Sequence, residues 1–131
     1  AFMCAMQDSD EQMLCYYDAR IGVSIYGGMF NPITYEPFCT YYSFYAFGQL
    51  YALGNQVHCT VDADNVYALA ASNENERAVV ISNISGEDRE FTTNLPADMK
   101  VYAIDEDNFC VETELSPSSF TIKNNQVFLI K

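Results

Sequence analysis

The sequence predicts a mainly β protein, an antiparallel β-sandwich of seven or eight strands preceded by a strand–loop–helix unit. Three observations carry that expectation. From residue 55 onward, short apolar runs recur roughly every ten residues, separated by Asp, Asn, Gly and Ser. Ahead of residue 55, eight of the ten tyrosines crowd into a stretch with one basic residue, Arg20. Composition changes at Gly54, so two segments are expected, 1–54 and 55–131.

In chain order, Ala1–Gln7 is short, apolar and Met-rich, as the tail of a helix is. Met13-Leu14-Cys15-Tyr16-Tyr17 is a continuous apolar run ending at Asp18, the pattern of a strand buried on both faces. Ile21 to Asn31 is a glycine-rich loop. Pro37 opens a helix that runs to Leu53 and stops at Gly54, proline in the first turn and glycine just past the end. Its Phe38, Tyr41, Tyr42, Tyr45, Phe47 and Leu50 leave little room for a polar face, so neighbours are expected on several sides. Tyr41, Tyr42, Tyr45 and Tyr51 are read as core, and Tyr45 and Leu50 as packing residues.

Strands are expected near Val57–Val61, Val66–Ala71, Ala78–Asn83, Glu90–Thr93, Val101–Asp105, Phe109–Glu114, Phe120–Ile122 and Val127–Ile130, alternating in the β manner. Between them lie turn formers such as Asp62-Ala63-Asp64-Asn65, Ser85-Gly86-Glu87-Asp88 and Asn124-Asn125.

The charge balance excludes some partners. Eighteen acidic against six basic residues give −12, which repels nucleic acid and anionic lipid, so neither is expected as a partner. No run approaches the ~18 apolar residues of a membrane helix. Five cysteines, an odd number without a CxxC pair, sit among apolar neighbours. They read as buried reduced thiols, and so lean towards a reducing, cytoplasmic compartment.

The order Tyr16-Tyr17-Asp18-Ala19-Arg20, then Tyr26-Gly27-Gly28-Met29-Phe30, Tyr41 to Phe47 and Leu50 to Gly54 resembles the end of the (β/α)8 barrel in glycoside hydrolases of the family-39-like type. The phrases Tyr67 to Ala71 and Ala78 to Asn83 resemble the C-terminal sandwich of the same enzymes. The resemblance implies that 1–54 ends a catalytic barrel and 55–131 is its sandwich. It places both catalytic glutamates of such enzymes upstream of this chain, so no catalytic residue is expected here. Barrel active sites sit at the C-terminal ends of the strands, so Tyr17, Asp18, Arg20 and Tyr26 are the expected substrate-edge contacts. The implied function is a non-catalytic C-terminal region of a glycoside hydrolase. Its implied partners are the rest of the barrel, carbohydrate, and a second copy through exposed apolar surface. The alternatives are a carbohydrate-binding sandwich module, or a structural or interaction domain unrelated to sugars.

The remaining polar residues point to no further chemistry. Asp18 reads as a strand-end cap or a partner of Arg20, and Glu36 as an electrostatic support for the helix start. His58, the single histidine, adjoins Cys59, but neighbouring strand residues point to opposite faces; it reads as a polar edge residue. Asp62-x-Asp64-Asn65 and Asp105 to Asn108 lack the Gly and terminal Glu of a calcium loop and read as turns. Neither a metal nor a cofactor is expected. Asn83-Ile84-Ser85 matches a glycosylation sequon at a strand end.

Overall fold

The computed structural model describes residues 1–19 and 28–131. In order, the elements are α1 (Phe2–Ala5), α2 (Cys39–Leu53), β1 (Asn55–Val57), β2 (Val66–Ser72), β3 (Arg77–Asn83), β4 (Arg89–Thr92), β5 (Val101–Ile104), β6 (Phe109–Glu112), β7 (Ser119–Ile122) and β8 (Gln126–Ile130). Six strands form one antiparallel sheet in the order β1-β2-β3-β8-β5-β6, and β4 pairs with β7 in a second. The expected mainly β, sandwich-like architecture is what the chain adopts.

The large sheet is covered on both faces. Phe128 and Ile130 of β8 pack with Phe120 and Ile122 of β7, while Leu129 between them packs with Ala46 and Leu50 of α2. Strand β3 divides in the same way: Val79 and Ile81 join the first cluster, Ala78 and Val80 the second. The result is three layers, helix on sheet on hairpin-like pair. Burial on both faces explains why β2, β3 and β8 read as unbroken apolar runs rather than the alternating pattern expected of them.

Turn chemistry closes the hairpins locally. Asn73 Oδ1 accepts the N–H groups of Asn75 and Glu76 at 2.9 and 2.7 Å, joining β2 to β3. Between β5 and β6, Asp105 Oδ1 accepts the N–H groups of Asp107 and Asn108 at 3.0 and 2.8 Å and the Asn108 amide at 2.7 Å. Its Oδ2 accepts the Gln126 amide from β8. Burial pushes this carboxyl up, but those amide and backbone donors together outweigh it and hold Asp105 below its ordinary value of 3.8. Such a group stabilises the fold fully above that ordinary value, and the contribution disappears as pH falls through the depressed folded value. Asp105→Asn should therefore flatten the acid limb of stability against pH. Urea midpoints measured from pH 6 to pH 2 check it, and equal acid slopes in the two proteins would rule Asp105 out as a source.

Several elements depart from expectation. The strand placed at Val57–Val61 forms instead at Asn55–Val57, paired with Ala70–Ser72. Gly54 ends α2 in the left-handed region at φ 85, its N–H on the Tyr51 carbonyl at 3.1 Å, and turns the chain straight onto the sheet edge. Cys59, Val61 and Ala63 then fold over the core instead of extending the strand. Pro37 stands before the helix in a bridge with Phe30, because Met29 holds the Phe38 N–H at 2.9 Å and keeps the backbone extended there. Met13–Tyr17 enters no β-ladder; Met13 is 76% exposed and Tyr17 62%. An apolar strand needs paired neighbours on both edges, and no described segment supplies them.

Burial also differs. Leu50 is fully packed, but Tyr45 is half-exposed and Tyr51 largely exposed, since the sheet covers one side of α2 only. Of the five cysteines, all free, Cys4 is buried, Cys15 is exposed and the others are half-buried. Asn83 is completely buried, with both amide protons committed, so the sequon it opens cannot accept a glycan in this fold.

Candidate functional site

Helix α2 organises the aromatic residues. Its fifteen residues include no charged side chain, and its N-cap Phe38 makes no side-chain cap bond. Ala46 and Leu50 seat it on the sheet. On its other sides, rings link neighbouring segments to it. Tyr16 meets Phe44 edge-on at 5.2 Å. Phe30, Tyr41, Tyr42 and Phe109 follow one another at 5.5, 5.3 and 5.9 Å, tying the 29–38 segment and β6 to the helix. Aromatic pairs in such tilted or edge-on arrangements add stability beyond the area they bury.

Of the residues expected at a sugar edge, Tyr17 and Asp18 follow directly on Tyr16, joined by a cis peptide bond. Tyr17 is exposed and Asp18 half-buried. Arg20 and Tyr26 lie outside the described residues, as does the Asp18–Arg20 pairing. The Glu36 carboxylate accepts the Thr34 hydroxyl at 2.8 Å, inside a turn built on Asn31 that precedes the helix. His58 is exposed just beyond β1 and lines an open groove of about 620 Å³ that also includes Asn73, Glu76, Arg77 and Asn94 and no Tyr or Phe ring.

A general acid for glycosides needs a carboxyl pushed up, next to a second carboxylate. Asp105 and Glu112 are both held below their ordinary values instead. For Glu112 the cause is the Lys100 ammonium at 2.7 Å, outweighing the effect of burial. Among the described residues, no group of three or more His, Cys, Asp and Glu side chains is placed to hold a metal ion.

A second aromatic assembly was not anticipated from the sequence. Tyr42 and Tyr45 of α2, Tyr102 of β5 and Phe109 of β6 surround a cleft of about 220 Å³ closed below by Leu129. Lys131 Nζ stands 5.7 Å over the Tyr102 ring and donates to Gln49 Oε1 at 3.0 Å. The signal available was the half-apolar flank of α2; its partners come from strands far along the chain.

No protein-family model matches this chain, and no curated protein matches it. Among solved structures it is similar to a glycoside hydrolase family 30 subfamily 8 xylanase from Clostridium acetobutylicum, at 19% identity and TM-score 0.62, over 79% of this chain and 30% of that one. It is also similar to a GH30 endoxylanase from Clostridium papyrosolvens C71, at 17% identity and TM-score 0.58, over 77% of this chain and 29% of that one. At such identities the likeness establishes the fold. The chain spans less than a third of the length of the structures it matches. Both are family 30 proteins, so the structural likeness gives no support to the family-39 type that the sequence resembles.

Proposed function

We propose that this chain is the non-catalytic C-terminal region of a glycoside hydrolase, with residues 1–54 ending a (β/α)8 barrel and residues 55–131 forming the sandwich that braces it. The observation that carries this reading is the absence of any charge on α2. A helix packed on one side and open to water on the other carries charges on the open side. Here the exposed large side chains are Tyr45 and Tyr51, 41% and 83% exposed, as on a helix that a second body covers. The likeness to part of two xylanases supports the remainder of a longer glycoside hydrolase as that body and makes xylan the first polymer to test. In this reading Tyr17, Asp18, Arg20 and Tyr26 stand at the mouth of the barrel as substrate-edge contacts, without a catalytic role.

The test is a panel of aryl xylosides, glucosides and arabinosides, assayed with this chain and with a longer protein that includes the upstream coding sequence. No turnover is expected from the chain alone and turnover from the longer protein. Turnover by the chain that vanishes on Asp18→Asn, or an upstream sequence that encodes no barrel, would overturn the reading. With α2 uncovered, the isolated chain should also self-associate. Light scattering that reports a monomer across a hundredfold range of concentration, roughly micromolar upward, would contradict that expectation.

A further inference from the structure

The cleft between α2 and the β5–β6 edge is built differently from a core. Tyr45 and Phe109 remain 41% and 45% exposed beside Leu129 at 0%, so aromatic faces line a surface opening over an apolar floor. Two of the lining residues, Tyr102 and Lys131, are held by groups behind them. The Tyr102 hydroxyl donates to Glu112 Oε2 at 3.3 Å, and Glu112 is held by Lys100 at 2.7 Å. The Lys131 backbone is tied to Lys100 by two hydrogen bonds, of 2.7 and 3.0 Å, which holds the Lys131 side chain in place over Tyr102.

We propose that this cleft binds one residue of a neutral glycan chain. The choice of ligand class rests on the glycoside-hydrolase reading; the placement rests on the geometry. A pyranose ring has an apolar C–H face and a rim of hydroxyls that donate and accept at once. Aromatic faces match the first. The Lys131 ammonium and the phenolic hydroxyls of Tyr42, Tyr45 and Tyr102 match the second, and the ordering of Lys131 by Gln49 and of Tyr102 by Glu112 before the ligand arrives lowers the entropic cost of binding. The open groove at His58 offers polar groups without a Tyr or Phe ring. The hollow beside Asp105 has its best acceptor already occupied by four donors. Neither combines both features.

The experiment is an NMR titration of the whole chain with xylohexaose and, separately, cellohexaose. Signals of Tyr45, Phe109 and Lys131 should shift together. Tyr45→Ala and Phe109→Ala should each weaken binding roughly three- to tenfold. Tyr45→Phe, which keeps the ring, should retain most of it, and Val111→Ala, exposed on the same strand outside the cleft, should change nothing. Thermal melts establish that each variant is folded. Shifts confined to another surface, no shift with either sugar at roughly 10 mM, or binding unaffected in both alanine variants would overturn the proposal. The titration is independent of hydrolysis: a silent cleft with an active longer protein removes this site alone. Binding at the cleft with no turnover in the longer protein removes the hydrolase reading alone.

Discussion

Phe128→Ala should lower the free energy of unfolding by about 3–5 kcal/mol. The ring is 1% exposed and lies in β8, the strand paired with both β3 and β5, where Ile81 and Ala103 are its direct neighbours. It meets Phe120 of β7 edge-on at 5.4 Å, and Phe120 in turn contacts Phe91 of β4 at 6.2 Å. Phe128 therefore joins the two sheets from the middle of the larger one. Truncation removes apolar contact and leaves a cavity that strands fixed on both sides cannot close. A domain of this size has about 5–15 kcal/mol in total, so the variant should sit near the edge of folding. Phe128→Leu, which fills most of the space, should lose clearly less. Urea denaturation decides it; a loss below about 1 kcal/mol for the alanine variant would show that the sheets are held elsewhere.

Asn83→Ala should cost about 2–4 kcal/mol, although it removes few apolar atoms. Asn83 is 0% exposed, at the end of β3. Its Nδ2 donates to the carbonyls of Glu87 and Ile122 at 2.8 and 3.1 Å, and its Oδ1 accepts the Ser85 N–H at 2.9 Å. Its own carbonyl accepts the Asn125 N–H at 2.8 Å. One side chain thus links the end of β3, the following turn and the end of β7. Alanine leaves the Ser85 N–H and the Glu87 and Ile122 carbonyls without this partner, the Ile122 carbonyl in a buried bond where the loss costs most. Asn83→Asp is the sharper variant. It keeps the shape but turns an acceptor toward the two carbonyls, so it should destabilise at least as much as alanine at neutral pH. Equal denaturation midpoints for the wild type and both variants would show that the network adds nothing.

What could be read directly from the residues was local. Asn73 and Asp105 close turns through bonds to positions two and three residues on, and Gly54 ends its helix within one turn. Those interactions need no knowledge of the rest of the chain, which is why strands β2 to β8 and the end of α2 fall close to where the turn formers put them. Tyr17 and Asp18 came from a resemblance, and the contact of the preceding Tyr16 with Phe44 was not legible in the residues alone.

The rest depended on which elements meet. Asn83 looks like a glycosylation site from its two neighbours; a carbonyl 39 residues away makes it a buried bridge. Met13–Tyr17 has the composition of an inner strand, yet a strand exists only where other backbones pair with it, and none of the described segments does. The aromatic cleft draws on α2, β5 and β6, brought together by a sheet order in which β8 inserts between β3 and β5. The chain by itself therefore determined its turns, caps and β content, because hydrogen bonds across two or three residues are encoded by those residues. Burial, long-range pairing and the shape of any binding surface were decided by tertiary structure, because each depends on free energy shared between groups far apart in sequence.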